Sequence, residues 1–392
     1  MLAPDAMSRL RAALLADEVA QQRLGAIHEP RAFCAQAAAF AESQGLALAA
    51  EDLLGALHPD PLDAAARRAR PGADRAWPGR SWLPAQVVPA ANGALQVDWA
   101  WFGPRPITDS FFEISARQAM ARPLSRLIRY RTPLPDFLEN AEPQDALAPS
   151  GLIFHMSRCG STLAARMLAS DPAAVVLSEP PPLDAMVRLT EIWPDIAPAR
   201  QARFIAAMAS ALGRRRAGDE RSYVIKPDSW HILALPLFRL AFPDTPWVFL
   251  YRDPAQVLVS HIRQRGLQTV PGALPPALFA PTEGRLPAEA HCAEVLTRIC
   301  DAAAQGYDQG GGRLINYTAL PGAVEAQILP HFAMPLGDAA RLAAAARIDA
   351  KTPHQTFTPD TPAKRTAATP AILTAAGGAL GRAYEALESR RI

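Results

Sequence analysis

The run His155-Met156-Ser157-Arg158-Cys159-Gly160-Ser161-Thr162-Leu163 sets a cation and five small or hydroxylated residues between an apolar stretch and a helical one. Small residues in a tight turn let backbone N–H groups converge, and the helix that follows adds the positive end of its dipole. Arg158 supplies a fork matched to phosphate or sulfate oxygens, and Ser161 and Thr162 supply hydroxyl donors. The pattern predicts a pocket for an anionic group. It is not a Walker A loop, because that motif would need Gly at 155 and Lys at 161, where the chain has His155 and Ser161. A second run, Trp247-Val248-Phe249-Leu250-Tyr251-Arg252-Asp253-Pro254, is an apolar strand ending in a charged turn, with a helix expected over Ala255 to His261. Ser260 follows Arg252 by eight residues, so the two could grip one phosphate from a strand end and two helical turns on.

Two further polar residues stand just past apolar runs. Glu179 ends Val175-Val176-Leu177-Ser178, and Lys226 ends Tyr223-Val224-Ile225. If these runs are strands of one sheet, both side chains lie at its ligand-facing edge. Asp228 stands close enough in sequence to orient Lys226. His155, His231 and His261 are the alternative proton acceptors, each weighed against an ordinary structural role.

The elements needed to place these groups are legible from periodicity. Apolar runs at 152–154, 174–177, 223–225, 247–251 and 313–317 alternate with helical stretches such as Leu163 to Leu168. That alternation predicts an α/β fold, a three-layer P-loop-like parallel sheet with flanking helices, with ligands at the carboxyl ends of its strands. Gly310-Gly311-Gly312 precedes a strand and not a helix, and so reads as a turn.

Four regions follow from composition. Residues 1–58 carry helical spacing (Leu10, Leu14, Leu15, Val19, then Phe33, Ala37, Phe40, Ala41), with Pro30 opening a helix and Gly45 closing it. They predict a small all-helical N-terminal module preceding the sheet. Residues 59–80, rich in Pro, Arg and Ala, predict a linker. Residues 81–150, with a strand over 96–102 and a helix over 114–127, form a lead-in subdomain without an assigned role, and 151–392 form the α/β domain.

The 392 residues carry a net charge of only +2, which gives nucleic-acid binding little support. No apolar run reaches the length of a membrane span. Acidic residues Asp5, Asp17 and Glu18 argue against a secretory signal, and Cys34, Cys159, Cys292 and Cys300 lack metal-binding spacing. A cytoplasmic protein with reduced thiols is expected. The heavy use of Ala, Arg and Pro points to a GC-rich bacterial genome.

Together, the Arg158 loop and the Arg252 turn resemble the two signatures of the sulfotransferase family. Ser157-Arg158-Cys159-Gly160-Ser161-Thr162 is similar to the Ser-Arg-Ser-Gly-Thr/Ser-Thr run of bacterial members, and Arg252 with Ser260 to the Arg-Asp-Pro turn and its following serine. Leu314 to Leu320 echoes the family's Tyr-Glu-Asp-Leu segment, with Thr318 and Ala319 in place of both acids. The resemblance covers roughly residues 151–370. It implies transfer of a sulfuryl group from 3′-phosphoadenosine-5′-phosphosulfate (PAPS), releasing 3′,5′-ADP, to a hydroxyl or amine of a small-molecule or peptide acceptor, with no metal required. It implies the 5′-phosphosulfate in the loop Arg158, Cys159, Gly160, Ser161 and Thr162, and the 3′-phosphate on Arg252 and Ser260. It further implies Tyr317 near the adenine, Lys351 in a C-terminal basic loop over the nucleotide, Glu179 as base, and Lys226 with Arg158 at the leaving oxygen. Cys159 departs from the usual Ser, and the Lys-Thr-His segment of the cytosolic branch is missing. At the N-terminus, Leu14 to Glu18, Gln22 to Leu24, Pro30 to Phe33, Gly45 to Leu48 and Glu51 to Leu53 resemble a Nif11-type leader segment. The competing readings are a P-loop phosphotransferase or nucleotide hydrolase, with Asp253 on magnesium, and a non-catalytic peptide-binding scaffold.

Overall fold

The computed structural model describes residues 4–57, 76–90, 92–141, 146–274, 286–349, 356 and 360–391. Its contacts divide the chain into two units, the first of residues 1–106, 112–147 and 207–219, the second of 107–111, 148–206 and 220–392.

The first unit joins a three-stranded antiparallel sheet to the N-terminal helices. Its strands are β1 (Trp82–Pro89), β2 (Leu95–Trp101) and β3 (Arg131–Pro133), in that spatial order. The helices are Pro4–Ala16, Glu18–Gly25, Pro30–Ser43 and Ala50–Leu57. Their apolar faces (Leu10, Leu14, Leu24, Phe33, Leu53) are buried, and side chains tie them to the rest of the unit. Trp82 Nε1 donates to Gln21 Oε1 at 2.9 Å, and Arg129 Nη2 to the carbonyl of Ala56 at 2.7 Å. The stretch that composition sets apart as a module therefore shares one core with the lead-in strands. The first helical stretch is broken where Asp17 accepts from the N–H of Ala20 at 2.8 Å and caps a new helix. The helix expected over 114–127 is likewise two, Phe112–Ala121 and Pro123–Ile128. Pro123 forces the preceding Arg122 into extended backbone, φ −62° and ψ 139°.

The second unit carries the parallel sheet. Its strands are β4 (Gly151–His155), β5 (Ala174–Ser178), β6 (Ser222–Lys226), β7 (Trp247–Tyr251) and β8 (Gly312–Asn316). The spatial order is β5-β6-β4-β7-β8, with every pairing parallel. Each predicted run is a strand within a residue of its expected limits. All five residues of β4, β5, β6 and β7 are buried, as a sheet covered on both faces requires. Phe154, on central β4, meets Phe238 and Trp247 edge-on at 5.3 and 6.1 Å. Burying such a ring contributes about 1.5–3 kcal/mol.

Helix Ser161–Leu168 follows β4, and helix Pro254–Arg263 follows β7. The C-terminal helix Ala379–Glu388 is pinned to the ends of β7 and β8 by Glu388, whose Oε1 accepts from Tyr251 Oη at 2.5 Å and Asn316 Nδ2 at 2.9 Å. Among the described residues, no helix is long and apolar enough to cross a membrane.

Candidate active site

The carboxyl ends of β4 and its neighbour β7 carry the two motifs, and the first is built by backbone that only a few sequences tolerate. After β4, Ser157, Arg158 and Gly160 adopt φ of 70°, 53° and 87°. Left-handed residues cost energy in anything but glycine and turn successive N–H groups to one side. Gly160 has a second reason to lack a side chain. A Cβ there would stand 2.8 Å from the ring of Tyr317. Gly160 is also the N-cap of helix Ser161–Leu168 and leaves its first turn without a side-chain cap. Two bonds hold the loop. Cys159 Sγ donates to the carbonyl of Leu250 at 3.0 Å, and the Ser157 N–H to His155 Nδ1 at 3.1 Å. Burial pushes the Cys159 thiol up to about 11, so this cysteine is an inert anchor.

Arg158 Nη2 donates to the carbonyl of Gln264, just past the helix that follows β7, at 2.8 Å. Its guanidinium acts electrostatically on both Glu179 and Lys364, so it stands between the two centres described next.

The first centre lies at the ends of β5 and β6. Lys226 is fully buried, and its ammonium is hydrogen-bonded to Glu179 Oε1. The Glu179 N–H also donates to the Lys226 carbonyl at 2.7 Å, and Glu179 itself is left-handed, φ 51°. His155 Nε2 lies 3.5 Å from the same Oε1 and 3.2 Å from the carbonyl of Pro227. Because His155 Nδ1 accepts from Ser157, the neutral ring carries its proton on Nε2, facing Glu179. The ring thus faces the carboxylate and not the strand region. Burial and the Lys226 charge hold His155 below its ordinary pKa. Burial alone would raise the Glu179 carboxyl, but Lys226 and His155 outweigh it and hold it well below the usual carboxylate range. Of the three side chains only Glu179, at 25% exposure, meets solvent. The Phe111 ring covers the ammonium at 5.5 Å. Nothing in the residue pattern marks this role, since Phe111 reads as one more core aromatic.

Asp228 does not touch Lys226 by hydrogen bond. It caps the turn Ser229–Ala234, where its N–H donates to His231 Nδ1 at 3.2 Å. Burial, only partly offset by His231, pushes Asp228 up to about 7. His231 Nε2 in turn pairs with Asp184 Oδ1 at 2.8 Å. His261 is buried and accepts from the Gly266 N–H through Nδ1 at 3.2 Å. Both rings are held in place by these hydrogen bonds.

The second centre surrounds Arg252. Its Nε and Nη2 both donate to Gln256 Oε1, at 3.0 and 2.7 Å, one helical turn on. Nη2 also reaches Asp360 Oδ1 at 2.7 Å and Thr361 Oγ1 at 3.1 Å. The guanidinium carbon lies over the Tyr317 ring, 3.8 Å from its centroid. Tyr317 therefore touches the Gly160 loop on one side and Arg252 on the other, joining the two motifs. Ser260 is on the same helix, but its hydroxyl donates to the Gln256 carbonyl at 2.9 Å and makes no bond to Arg252. Asp253 caps that helix, accepting from the Gln256 N–H through Oδ1 at 3.0 Å. Lys351 lies outside the described residues. Lys364, four residues past Asp360 and paired with it at 2.6 Å, is the C-terminal cation that stands at the site. Gln256 carries a sequence signal, the four-residue spacing from Arg252. Lys364, with Arg365, belongs to the basic C-terminal stretch that the resemblance sets over the nucleotide, and Asp360 carries no such signal.

No protein-family profile matches this chain, and no curated protein is similar to it. Among solved structures it is similar to the sulfotransferase domain from the curacin biosynthetic pathway, at 16% identity over 59% of this chain and 97% of that one, TM-score 0.38. It is similar to the sulfotransferase domain of the olefin synthase of Synechococcus PCC 7002, at 18% identity over 60% and 96%, TM-score 0.38. It is also similar to sulfotransferase STF9 from Mycobacterium avium, at 17% identity over 55% and 71%, TM-score 0.33. At those scores the assignment rests on the geometry of the site.

Proposed function

We propose that the protein is a sulfotransferase that takes its sulfuryl group from PAPS and releases 3′,5′-ADP. One observation carries the reading. Two anion-binding structures, at the ends of the paired strands β4 and β7, are linked through a single ring, that of Tyr317. A ligand with anions at both ends of one nucleoside meets both.

In this reading the N–H groups of 158–162 and Arg158 hold the 5′-phosphosulfate, Arg252 with Lys364 holds the 3′-phosphate, and Tyr317 positions Arg252 beside the nucleoside. Glu179 removes the proton from the acceptor hydroxyl as its oxygen bonds to sulfur. The bond from sulfur to the bridging phosphate oxygen breaks, and Lys226 with Arg158 stabilises the charge left on that oxygen. The Lys226–Glu179 pair couples the two events. While paired, Glu179 is a weak base; as Lys226 turns its proton toward the leaving oxygen, the carboxylate loses its partner and gains basicity. The donor is already activated, so the reading calls for no metal. The leader-like pattern of the N-terminal helices supports a peptide or peptide-derived acceptor.

Thermal unfolding tests the assignment. Saturating 3′,5′-ADP is expected to raise the melting temperature by several degrees, because a ligand at about 100 times its Kd adds about 2.7 kcal/mol. ATP with magnesium is expected to add much less. Stabilisation by ATP with magnesium and not by 3′,5′-ADP would replace the sulfotransferase reading with a phosphotransferase.

A further inference from the structure

Arg252 faces an anion supplied by the chain itself. The two oxygens of Asp360 are divided between two cations, Oδ1 2.7 Å from Arg252 Nη2 and Oδ2 2.6 Å from Lys364 Nζ. The side chains of Arg252 and Lys364 are 4% and 9% exposed, whereas that of Asp360 is 49% exposed. Two nearly buried cations are fixed, and the half-exposed carboxylate is the replaceable member. Arg252 is clamped further by Gln256 and by Tyr317. An oxyanion bridging an arginine and a lysine through separate oxygens is the contact a phosphate makes. Arg158 adds a third positive charge within electrostatic reach of Lys364. The cluster is therefore richer in cations than one carboxylate can neutralise, and a dianion is the better match.

We propose that Asp360 is an internal competitor for the 3′-phosphate, occupying its contacts on Arg252 and Lys364 and yielding them when the nucleotide binds. The inference rests on the nucleotide reading given above. It has a consequence for turnover. Removing the product's 3′-phosphate would strand two buried cations, a costly state. Asp360 returns to them as the phosphate leaves, so the product departs faster and binds less tightly than the bare cation pair would allow.

Calorimetric titration of 3′,5′-ADP and 5′-AMP into wild type, Asp360→Asn and Asp360→Ala separates the outcomes. Both variants are expected to bind 3′,5′-ADP about tenfold more tightly, as when a competing state that holds about 90% of the protein is removed. Binding of 5′-AMP, which has no 3′-phosphate, should change by less than about twofold on the same basis. Unchanged or weaker 3′,5′-ADP binding, or equal tightening of both nucleotides through general charge, overturns the proposal and leaves the sulfotransferase reading standing. Failure of all three proteins to bind 3′,5′-ADP overturns both.

Discussion

Replacing Arg252 by alanine is expected to weaken 3′,5′-ADP binding by about 100-fold, the loss of one or two charge-assisted hydrogen bonds at about 1.5–3 kcal/mol each. The fold should survive, because the carboxylate that Arg252 holds keeps Lys364 as a partner. The effect should be confined to ligands with a 3′-phosphate, so 5′-AMP affinity should scarcely move. Arg252→Lys is expected to recover only part of the loss. The guanidinium donates through two nitrogens to Gln256 while its carbon sits 3.8 Å over Tyr317, and a single ammonium cannot reproduce that fork. Titration calorimetry with both nucleotides checks the prediction. An equal loss for 5′-AMP would mean that Arg252 supports the site as a whole and does not read the 3′ end.

Lys226→Met is expected to lower kcat by about 10²–10³, the usual cost of removing a cation aimed at developing charge. It is also expected to destabilise the protein by about 1–3 kcal/mol, because the partly exposed Glu179 carboxylate is left without its cation. The double variant Lys226→Met/Glu179→Gln removes that unpaired charge, so it should melt higher than Lys226→Met while remaining at least as inactive. That contrast separates a chemical role from a folding defect. The pH profile adds a second readout. Lys226 and His155 hold Glu179 below the usual carboxylate range, so wild-type kcat/KM should stay flat as pH falls through that range. Without Lys226, burial is opposed by His155 alone, and the acid limb of the residual activity should move upward. A limb that stays in place would remove Glu179 from the role of base.

The sheet was largely legible because each strand is an apolar run with both faces covered and a polar residue at its carboxyl end. Glu179, Lys226 and Arg252 could be placed at that edge one by one. Their partners could not. The Lys226–Glu179 pair spans 47 positions and the Arg252–Asp360 pair 108, and periodicity carries no information about which strand ends become neighbours. The order β5-β6-β4-β7-β8 decides that. Asp360 and Lys364 sit in a Pro- and Thr-rich stretch without an apolar pattern, and their role appears only beside Arg252. Ser260 stands two helical turns on from Arg252, as its spacing implies, with its hydroxyl donating to the Gln256 carbonyl. In the N-terminal helices the spacing of Leu10 and Leu14 was read correctly, while the break at Asp17 is a capping event that an apolar pattern does not record.

A crystal structure with 3′,5′-ADP bound tests the central claim most directly. A single nucleotide should place its 5′-phosphate against the N–H groups of residues 158–162 and its 3′-phosphate on Arg252 and Lys364, with Asp360 displaced. A nucleotide that reaches only one of these centres, or binds away from the ends of β4 and β7, would contradict it.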